Sequence, residues 1–175
     1  MTIKPPFNLT KWIEENRHKL KPPVGNKNLY TESGDYIVMI VAGPNARKDY
    51  HYNETEELFY QLEGDITVYI QEDGKKVEIP VREGEMFLLP ARVPHSPVRP
   101  EGSLGLVIEK KRESHHKDGL LWFSDKANAK LYEEYFHLTN IEKDFLPVFR
   151  KFYADKQLRT CPVTGEVMEA DPRFI

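Results

Sequence analysis

The sequence predicts an all-β core of the jelly-roll type, a small β-barrel, with peripheral N-terminal and C-terminal α-helices. Three observations indicate this fold: short segments with strand-type alternation, turn signals between them, and helical periodicity confined to the two ends. With 175 residues, of which 39% are apolar, the chain suits a single domain, 1–175. We place the barrel core at about 30–112 and a helical or irregular tail at about 113–175.

The N-terminal helix is expected at 8–20, where Asn8 is a suitable N-cap and apolar side chains recur on one face. After it, several segments have the length, alternation or β-branched content of strands. An Asp-Gly pair between two of them is a hairpin signal. The predicted strands are 35–42, 57–64, 65–71, 76–81, 86–90 and 104–110.

Two helices are expected in the tail. Ser124 is a suitable cap for the first, and the second should run through 147–153 with Pro147 near its first turn. The tail has too little apolar content to fold alone, so we expect it to pack on the barrel or on a partner subunit. The apolar residues expected to face inward are Ala127, Leu131, Tyr135 and Phe136 in the first helix and Phe145, Val148, Phe149 and Phe152 in the second.

Charge and cysteine content exclude several classes of protein. A net charge of −3 and a pI near 6.1 give no electrostatic reason to expect nucleic acid or a membrane surface as partner. The single cysteine, Cys161, excludes an intrachain disulfide framework and indicates a reducing compartment. The N-terminal segment lacks the apolar core of a signal peptide, and no apolar run reaches membrane-spanning length. We therefore expect a cytoplasmic protein.

Two stretches carry candidate metal ligands. Residues 43–64 hold His51 and, six residues later, Glu57, while residues 84–99 hold His95. Two imidazoles and one carboxylate form a facial set that leaves about half of an octahedral metal open, as in non-haem Fe(II) oxygenases. The same ligands suit zinc. An isolated histidine is usually structural, but three ligands in two glycine-framed stretches favour a metal site.

Three charged residues are candidates for handling a substrate. Arg47 lies four residues before the first histidine and Arg99 four after the second, so both should project toward one cavity mouth and could capture a carboxylate. Without the metal, the two arginines would be interpreted as surface residues at strand ends. Glu109 follows an apolar alternation and either points into the barrel, where it could accept a proton, or pairs with Lys110 or Lys111. Spacing leaves that choice open.

The two glycine-framed stretches resemble the paired motifs of cupin barrels, with two departures. Asn53 stands where a second histidine is usual, and Arg99 where asparagine is usual. Over roughly 7–112, the sequence closely resembles one family, the 3-hydroxyanthranilate 3,4-dioxygenases. The strings that carry this similarity are FNLTKWIEEN, LKPPVGN, VAGPNARKDYH, EELFYQLEG, GEMFLLPARVPHSPVRPEGS and LVIEKKR, with PVFRKFYAD and RTCPVTGEV in the tail.

The resemblance implies an enzyme that opens the ring of 3-hydroxyanthranilate with O2 in an extradiol-type reaction. The product would be 2-amino-3-carboxymuconate semialdehyde, which closes to quinolinate, the precursor of NAD in the kynurenine route. One Fe(II) per chain would be held by His51, Glu57 and His95. The habit of the family also implies a homodimer.

The resemblance assigns substrate-binding residues as well. Arg47 and Arg99 would hold the substrate carboxylate, and Glu109 would contact the amino and hydroxyl side of the ring as general base and later acid. Val24 and Asn26 match positions that line the site in the family.

The tail departs from the family pattern. Bacterial and fungal members carry a second, rubredoxin-like iron site built from two Cys-x-x-Cys pairs. Here the place of the first pair reads LLWFSDKANAK, and the second keeps only Cys161. A four-thiolate site cannot form from one thiol. We therefore predict a degenerate segment without the second iron, in which Cys161 is structural.

Two other functions compete with the dioxygenase. One is a non-catalytic, metal-dependent cupin that binds a small aromatic carboxylate as a sensor or store; the specific strings around Arg47, Arg99 and Glu109 argue against it. The other is a metal-dependent cupin isomerase acting on a sugar phosphate. Such enzymes tend to keep the histidine that is Asn53 here, so this residue argues against the isomerase.

Overall fold

The computed structural model describes residues 5–20, 25–32 and 34–175. Within them lie two α-helices, a short 3-10 helix at Arg17–Lys19 and eleven strands. None of the helices described is long and apolar enough to cross a bilayer. In chain order the elements are α1 Leu9–Asn16, β1 Asn26–Asn28, β2 Tyr36–Ala42, β3 Tyr50–Tyr52, β4 Glu57–Glu63, β5 Ile66–Glu72, β6 Lys75–Val81, β7 Met86–Leu89, β8 His95–Val98, β9 Leu104–Lys110, β10 Asp118–Phe123, β11 Lys130–Phe136 and α2 Ile141–Ala154.

The strands form two antiparallel sheets with jelly-roll character. One sheet has the order β1-β2-β9-β4-β7 and the other β11-β10-β3-β8-β5-β6. Alternate side chains of both sheets point into a shared apolar core, because successive residues of a strand face opposite sides. The prediction of an all-β core is confirmed, and the six predicted strands agree with β2, β4, β5, β6, β7 and β9 to within one residue at each end. The buried residues of this core are Met39, Phe59, Ile66, Val68, Ile70, Val81, Leu89 and Val107.

The hairpin between β5 and β6 confirms the Asp-Gly turn signal. Asp73 and Gly74 have positive φ angles of 49° and 74°, as a two-residue turn of type I′ requires. The register then pairs Glu72 with Lys75 and continues to Ile66 opposite Val81. This turn therefore sets which side chains of both strands face the core.

The N-terminal helix is shorter than the predicted 8–20. Asn8 caps it as expected, since its side chain accepts a hydrogen bond from the backbone N–H of Lys11 at 2.9 Å. The α-helix ends at Asn16, whose side chain donates to the carbonyl of Trp12 at 2.8 Å, and a 3-10 turn follows. Asparagine competes with the helix for backbone hydrogen bonds, which favours an end at this position.

The helix predicted from Ser124 is wrong. The segment forms the hairpin of β10 and β11, which extends the six-stranded sheet through the pairing of β10 with β3. Ser124 lies in the intervening turn, where its hydroxyl accepts a hydrogen bond from the N–H of Ala129 at 3.0 Å. β10 is buried along nearly its whole length, so it shows no alternation to distinguish it from a buried helix. Strand structure thus continues well past residue 112, and the division of the chain into domains stays a prediction.

The last helix lies where the sequence predicts it but runs further than predicted. α2 begins after Asn140, whose side chain caps it, so Pro147 lies in its middle and not near its first turn. The four residues predicted to face inward are buried as expected. They pack on β10, where the rings of Trp122 and Phe152 stack with centroids 4.2 Å apart.

Candidate metal centre

The three predicted ligands come together inside the barrel. β3 and β8 pair so that His51 lies directly opposite His95, and β4 begins at Glu57. One ligand atom from each residue lies within 4.8 Å of the other two. Among the residues that the structure describes, this is the one cluster of three or more histidine, cysteine or carboxylate side chains with that spacing.

The contact between Glu57 and His95 has a geometry that a proton or a metal ion can satisfy. His95 Nδ1 lies 3.0 Å from the carbonyl of Val93, which places the proton of a neutral ring on Nδ1 and the lone pair on Nε2. That Nε2 lies 3.1 Å from Glu57 Oε2, an oxygen that is buried and has no hydrogen-bond partner. Two acceptors at this distance need a proton or a metal ion between them.

The electrostatics of the pair agree with that requirement. Burial opposes charge on both groups, but the attraction between them outweighs it, so the pKa of Glu57 is lowered and the pKa of His95 is raised. In addition, two ligands about 2.1 Å from one metal, at a right angle, lie about 3 Å apart. The observed separation of Glu57 and His95 therefore suits neighbouring ligands of one ion.

His51 is held by a carboxylate from the tail. Its Nε2 lies 2.7 Å from Oδ1 of Asp118, the first residue of β10. Burial is the largest influence on His51 and lowers its pKa despite Asp118, so the ring favours the neutral form that binds metals. Phe145 of α2 covers the ring with a centroid separation of 5.4 Å. The donor set is thus the imidazoles of His51 and His95 and the buried carboxylate of Glu57.

Asn53 takes no place in this ligand cluster. Its Oδ1 accepts hydrogen bonds from the N–H and the hydroxyl of Thr55, both at 2.9 Å. Its Nδ2 lies 3.2 Å from Glu109 Oε2. Asn53 is therefore a hydrogen-bond partner of Glu109.

Arg99 is a buried cation whose hydrogen-bond donors are not all used. Its exposed fraction is 2%, its Nε has no partner, and its Nη1 reaches Gln61 Oε1 only at 3.4 Å. Burial lowers its pKa to about 10. A Cβ added to Gly105 would lie 3.0 Å from Nη1, so the glycine makes room for the guanidinium. A buried cation with unsatisfied donors suits an anionic ligand.

Arg47 lies at a more open position. The exposed fraction of its side chain is 29%, and its Nε lies 3.3 Å from Oδ1 of buried Asp49. Its guanidinium stands over two rings of α2, 5.2 Å from the centroid of Phe149 and 5.9 Å from that of Phe145. Since Phe145 also covers His51, one ring contacts both the predicted metal ligand and this predicted substrate arginine.

Glu109 points into the barrel, which answers the question that spacing left open. It lies directly opposite Glu57 in the pairing of β4 with β9 and is buried. Arg112 Nη1 donates to its Oε2 at 2.5 Å. Burial and the neighbouring Glu57 raise the pKa of Glu109 to about 7, against the effect of Arg112. A carboxyl with that pKa is suited to exchanging protons near neutrality.

The remaining two predicted residues are less informative. Val24 lies outside the described residues. Asn26 is exposed in β1, opposite Val41, and none of the contacts described for it reaches the cluster. Their roles stay predictions.

Sequence reasoning missed several residues that surround the cluster. Asp118 and Arg112 read as parts of a charged connection, and Gln61 as a polar strand residue. Gly105 interrupts the apolar run LGLVIEK, and a glycine inside a strand signals a close approach. That signal could have been used, whereas nothing local in the sequence distinguishes Asp118 or Arg112 from solvated charges.

Fold and cluster together define a metal-binding β-barrel of the cupin class. The chain belongs to the 3-hydroxyanthranilic acid dioxygenase family, whose model matches residues 1–153.

Full-length relatives agree with this assignment. A protein of Xanthomonas campestris pv. campestris (strain 8004) is 54% identical over 172 residues, covering 98% of this chain and 97% of the relative. One from Ruegeria pomeroyi is 48% identical over 162 residues, covering 92% and 89%. Both are named 3-hydroxyanthranilate 3,4-dioxygenase.

A cupin-2 domain containing protein from Shewanella frigidimarina is 21% identical, with a TM-score of 0.46 over 56% of this chain and 92% of that chain.

Proposed function

We propose that this chain is an Fe(II)-dependent dioxygenase that opens the ring of 3-hydroxyanthranilate with O2 and yields 2-amino-3-carboxymuconate semialdehyde, the precursor of quinolinate in NAD biosynthesis. Family membership and the names of the relatives support the reaction. The observation that carries the proposal is the set of three ligands, in which buried Glu57 Oε2 lies 3.1 Å from His95 Nε2.

His51, Glu57 and His95 would hold one Fe(II). Two imidazoles with one carboxylate are the set that non-haem Fe(II) oxygenases use. The same donors also suit zinc, so the choice of iron rests on membership of the dioxygenase family. When bound, the metal would supply Lewis-acid activation of the substrate and reaction with O2.

The protein's own side chains would bind and orient the substrate. Arg99 would donate to the substrate carboxylate from inside the barrel, and Arg47 would do so from the more open side, where the rings of α2 hold its guanidinium. Holding the carboxylate at two cations fixes the orientation of the ring. Val24 and Asn26 would line the remaining part of the site.

Glu109 would transfer the proton of the substrate hydroxyl. With a pKa raised to about 7, it can take a proton from the substrate hydroxyl and return one later in the reaction. Its burial keeps water from competing for the same oxygen atoms. The strand pairing places this residue opposite Glu57, on the inner face of the same sheet.

The proposal includes a cytoplasmic homodimer without a second iron. Met86 and Leu88 support the dimer, since they are 63% and 54% exposed on β7, an edge strand of its sheet. Sedimentation of the wild type beside Leu88→Glu tests it. A dimer that the charge converts to monomer is expected, and a monomeric wild type would contradict the proposal.

The reaction itself is tested by loading anaerobically purified protein with Fe(II), adding 3-hydroxyanthranilate and air, and following the near-ultraviolet absorbance of the semialdehyde. Glu57→Ala should lose both the iron and the product. Glu78→Ala, which removes an exposed glutamate of β6, is the matched control and should keep both. A wild type that binds iron and substrate yet never opens the ring would favour a non-catalytic binding protein.

A further inference from the structure

Four side chains form a continuous path from one predicted ligand, His51, to Glu109. His51 Nε2 lies 2.7 Å from Asp118 Oδ1. Arg112 donates to Asp118 through Nε at 3.1 Å and through Nη2 at 2.7 Å. The third nitrogen of the same guanidinium, Nη1, donates to Glu109 Oε2 at 2.5 Å. One arginine therefore joins two carboxylates that serve different parts of the site.

The burial of this path makes a purely stabilising role a poor explanation. The side chains of Arg112 and Asp118 are 5% and 0% exposed, although they lie in and just after the connection between β9 and β10. Desolvating an ion pair costs about as much as its attraction returns, so a buried pair contributes little to stability. Its geometry is better explained by what it holds in place.

We propose that Arg112 and Asp118 are positioning residues that link the metal ligand His51 to the proton-transferring Glu109. Asp118 accepts the Nε2–H of His51, which selects one tautomer and leaves Nδ1 with the lone pair for a metal. The part assigned to Glu109 rests on the proposed function, whereas the part assigned to His51 rests on metal binding alone.

Arg112 also determines which oxygen of Glu109 is available. Both hydrogen bonds described for that carboxylate, from Arg112 and from Asn53, end on Oε2. Oε1 carries neither of these bonds, and we assign the substrate proton to it. A shift of Arg112 would rotate the carboxylate, and a shift of Asp118 would release both the imidazole and the guanidinium.

The surface offers a matched control pair. Arg17 donates through two nitrogens to Glu63 at 2.8 and 2.7 Å, so it makes the same kind of paired contact with a carboxylate. The two side chains are 52% and 40% exposed and belong to the N-terminal segment and β4. Arg17→Ala removes an arginine–carboxylate pair of similar geometry without touching the buried path.

The first test measures metal affinity without turnover. The dissociation constant for Co(II) and its visible spectrum are recorded by chelator competition for wild type, Asp118→Ala, Asp118→Asn and Arg17→Ala. Asp118→Ala should weaken Co(II) binding by about 10–100-fold and change the spectrum. Asp118→Asn should recover part of the affinity, because its carbonyl can still accept the Nε2–H. Arg17→Ala should match the wild type.

The second test separates positioning from folding. Arg112→Lys keeps the charge but cannot reach both carboxylates with a planar fork. In the Fe(II)-loaded enzyme its kcat should fall by roughly 10-fold or more while KM changes by less than about 3-fold, because Glu109 would be misaligned but the substrate carboxylate still held. Near-ultraviolet circular dichroism confirms that each variant measured is folded.

The outcomes distinguish this inference from the proposed function. If folded Asp118→Asn and folded Asp118→Ala both keep the Co(II) affinity and spectrum of the wild type, the link to His51 is overturned. If Asp118→Ala does not fold, Asp118→Asn alone decides, and an unchanged spectrum with unchanged affinity counts against the link. Unchanged kcat in Arg112→Lys would overturn the link to Glu109. A wild type that binds Co(II) but shows no ring opening with Fe(II) would refute the dioxygenase and with it the link to Glu109, whereas the link to His51 would still be decided by the Co(II) measurements.

Discussion

The cluster around Glu57 and the turn around Cys161 both carry residue types that bind metals, but their polar groups differ in hydrogen bonding. Some are without a hydrogen-bond partner at the cluster, whereas those at the turn are paired. At the cluster, buried Glu57 Oε2 and Arg99 Nε have no hydrogen-bond partner. At the turn, the Cys161 N–H donates to the Glu166 carbonyl at 2.8 Å, and the Cys161 carbonyl accepts from Gly165 at 2.9 Å.

The thiol of Cys161 is satisfied as well. Ser124 and Thr164 both form hydrogen bonds with it. The difference between the two regions shows why ligand-type residues alone do not make a site. Polar groups that are already paired need no ion, whereas a buried carboxylate oxygen that faces an imidazole nitrogen needs a proton or a metal ion between the two. Four predictions, from the largest expected effect to the smallest, test this contrast.

Glu109→Gln should have the largest effect, a fall in kcat of roughly 10²–10⁴-fold, since the amide cannot take up a proton. Metal content should be unchanged, because the variant removes no predicted ligand. Steady-state kinetics with Fe(II)-loaded protein measures this, and Glu78→Gln on exposed β6 is the control. A fall in kcat of only a few fold would contradict proton transfer by Glu109.

Metal binding should stabilise the protein through the cluster and not through the turn. At a free metal concentration 100 times the dissociation constant, the gain is about 2.7 kcal/mol. Thermal unfolding with and without metal should show this gain in the wild type and in Cys161→Ala, but none in Glu57→Ala. A shift that disappears in Cys161→Ala would reverse the assignment of the two regions.

Gly105→Ala should disturb Arg99, the buried arginine that we propose holds the substrate carboxylate. The new methyl group would lie 2.8 Å from Gln61 Oε1 and 3.0 Å from Arg99 Nη1, so one of them must move. Overpacking of this kind costs about 1–3 kcal/mol of stability. We also expect KM for 3-hydroxyanthranilate to rise more than kcat falls. Gly34→Ala, where nothing lies within 4 Å, is the control, and an unchanged KM would argue against carboxylate capture by Arg99.

Cys161→Ser should have the smallest effect. The side chain is buried and serine preserves a hydrogen-bonding group, so we expect a change in the free energy of unfolding of about 1 kcal/mol or less. Iron content by elemental analysis should stay at one per chain. A loss of iron in this variant would mean that the turn does bind metal.

Local sequence patterns predicted much of the barrel. The alternation of apolar residues is a property of each strand, so β5 and β6 could be placed from the sequence, and the Asp-Gly turn between them set their register. The same reasoning failed for β10, since Leu120, Leu121 and Trp122 are all buried and show no period of two. Ser124 then suggested a helix cap where the chain makes a turn.

The sequence by itself determined the strand-rich core, the identities of the three predicted ligands and the candidate substrate arginines, because these follow from spacing along the chain. Only the tertiary structure decided that Glu109 faces inward, that Arg99 is buried without enough partners, and that Arg112 reaches Asp118. The physical reason is that desolvation and ion pairing depend on which distant segments meet. The pKa of Glu109 therefore belongs to the folded barrel and cannot be read from the strand that carries the residue.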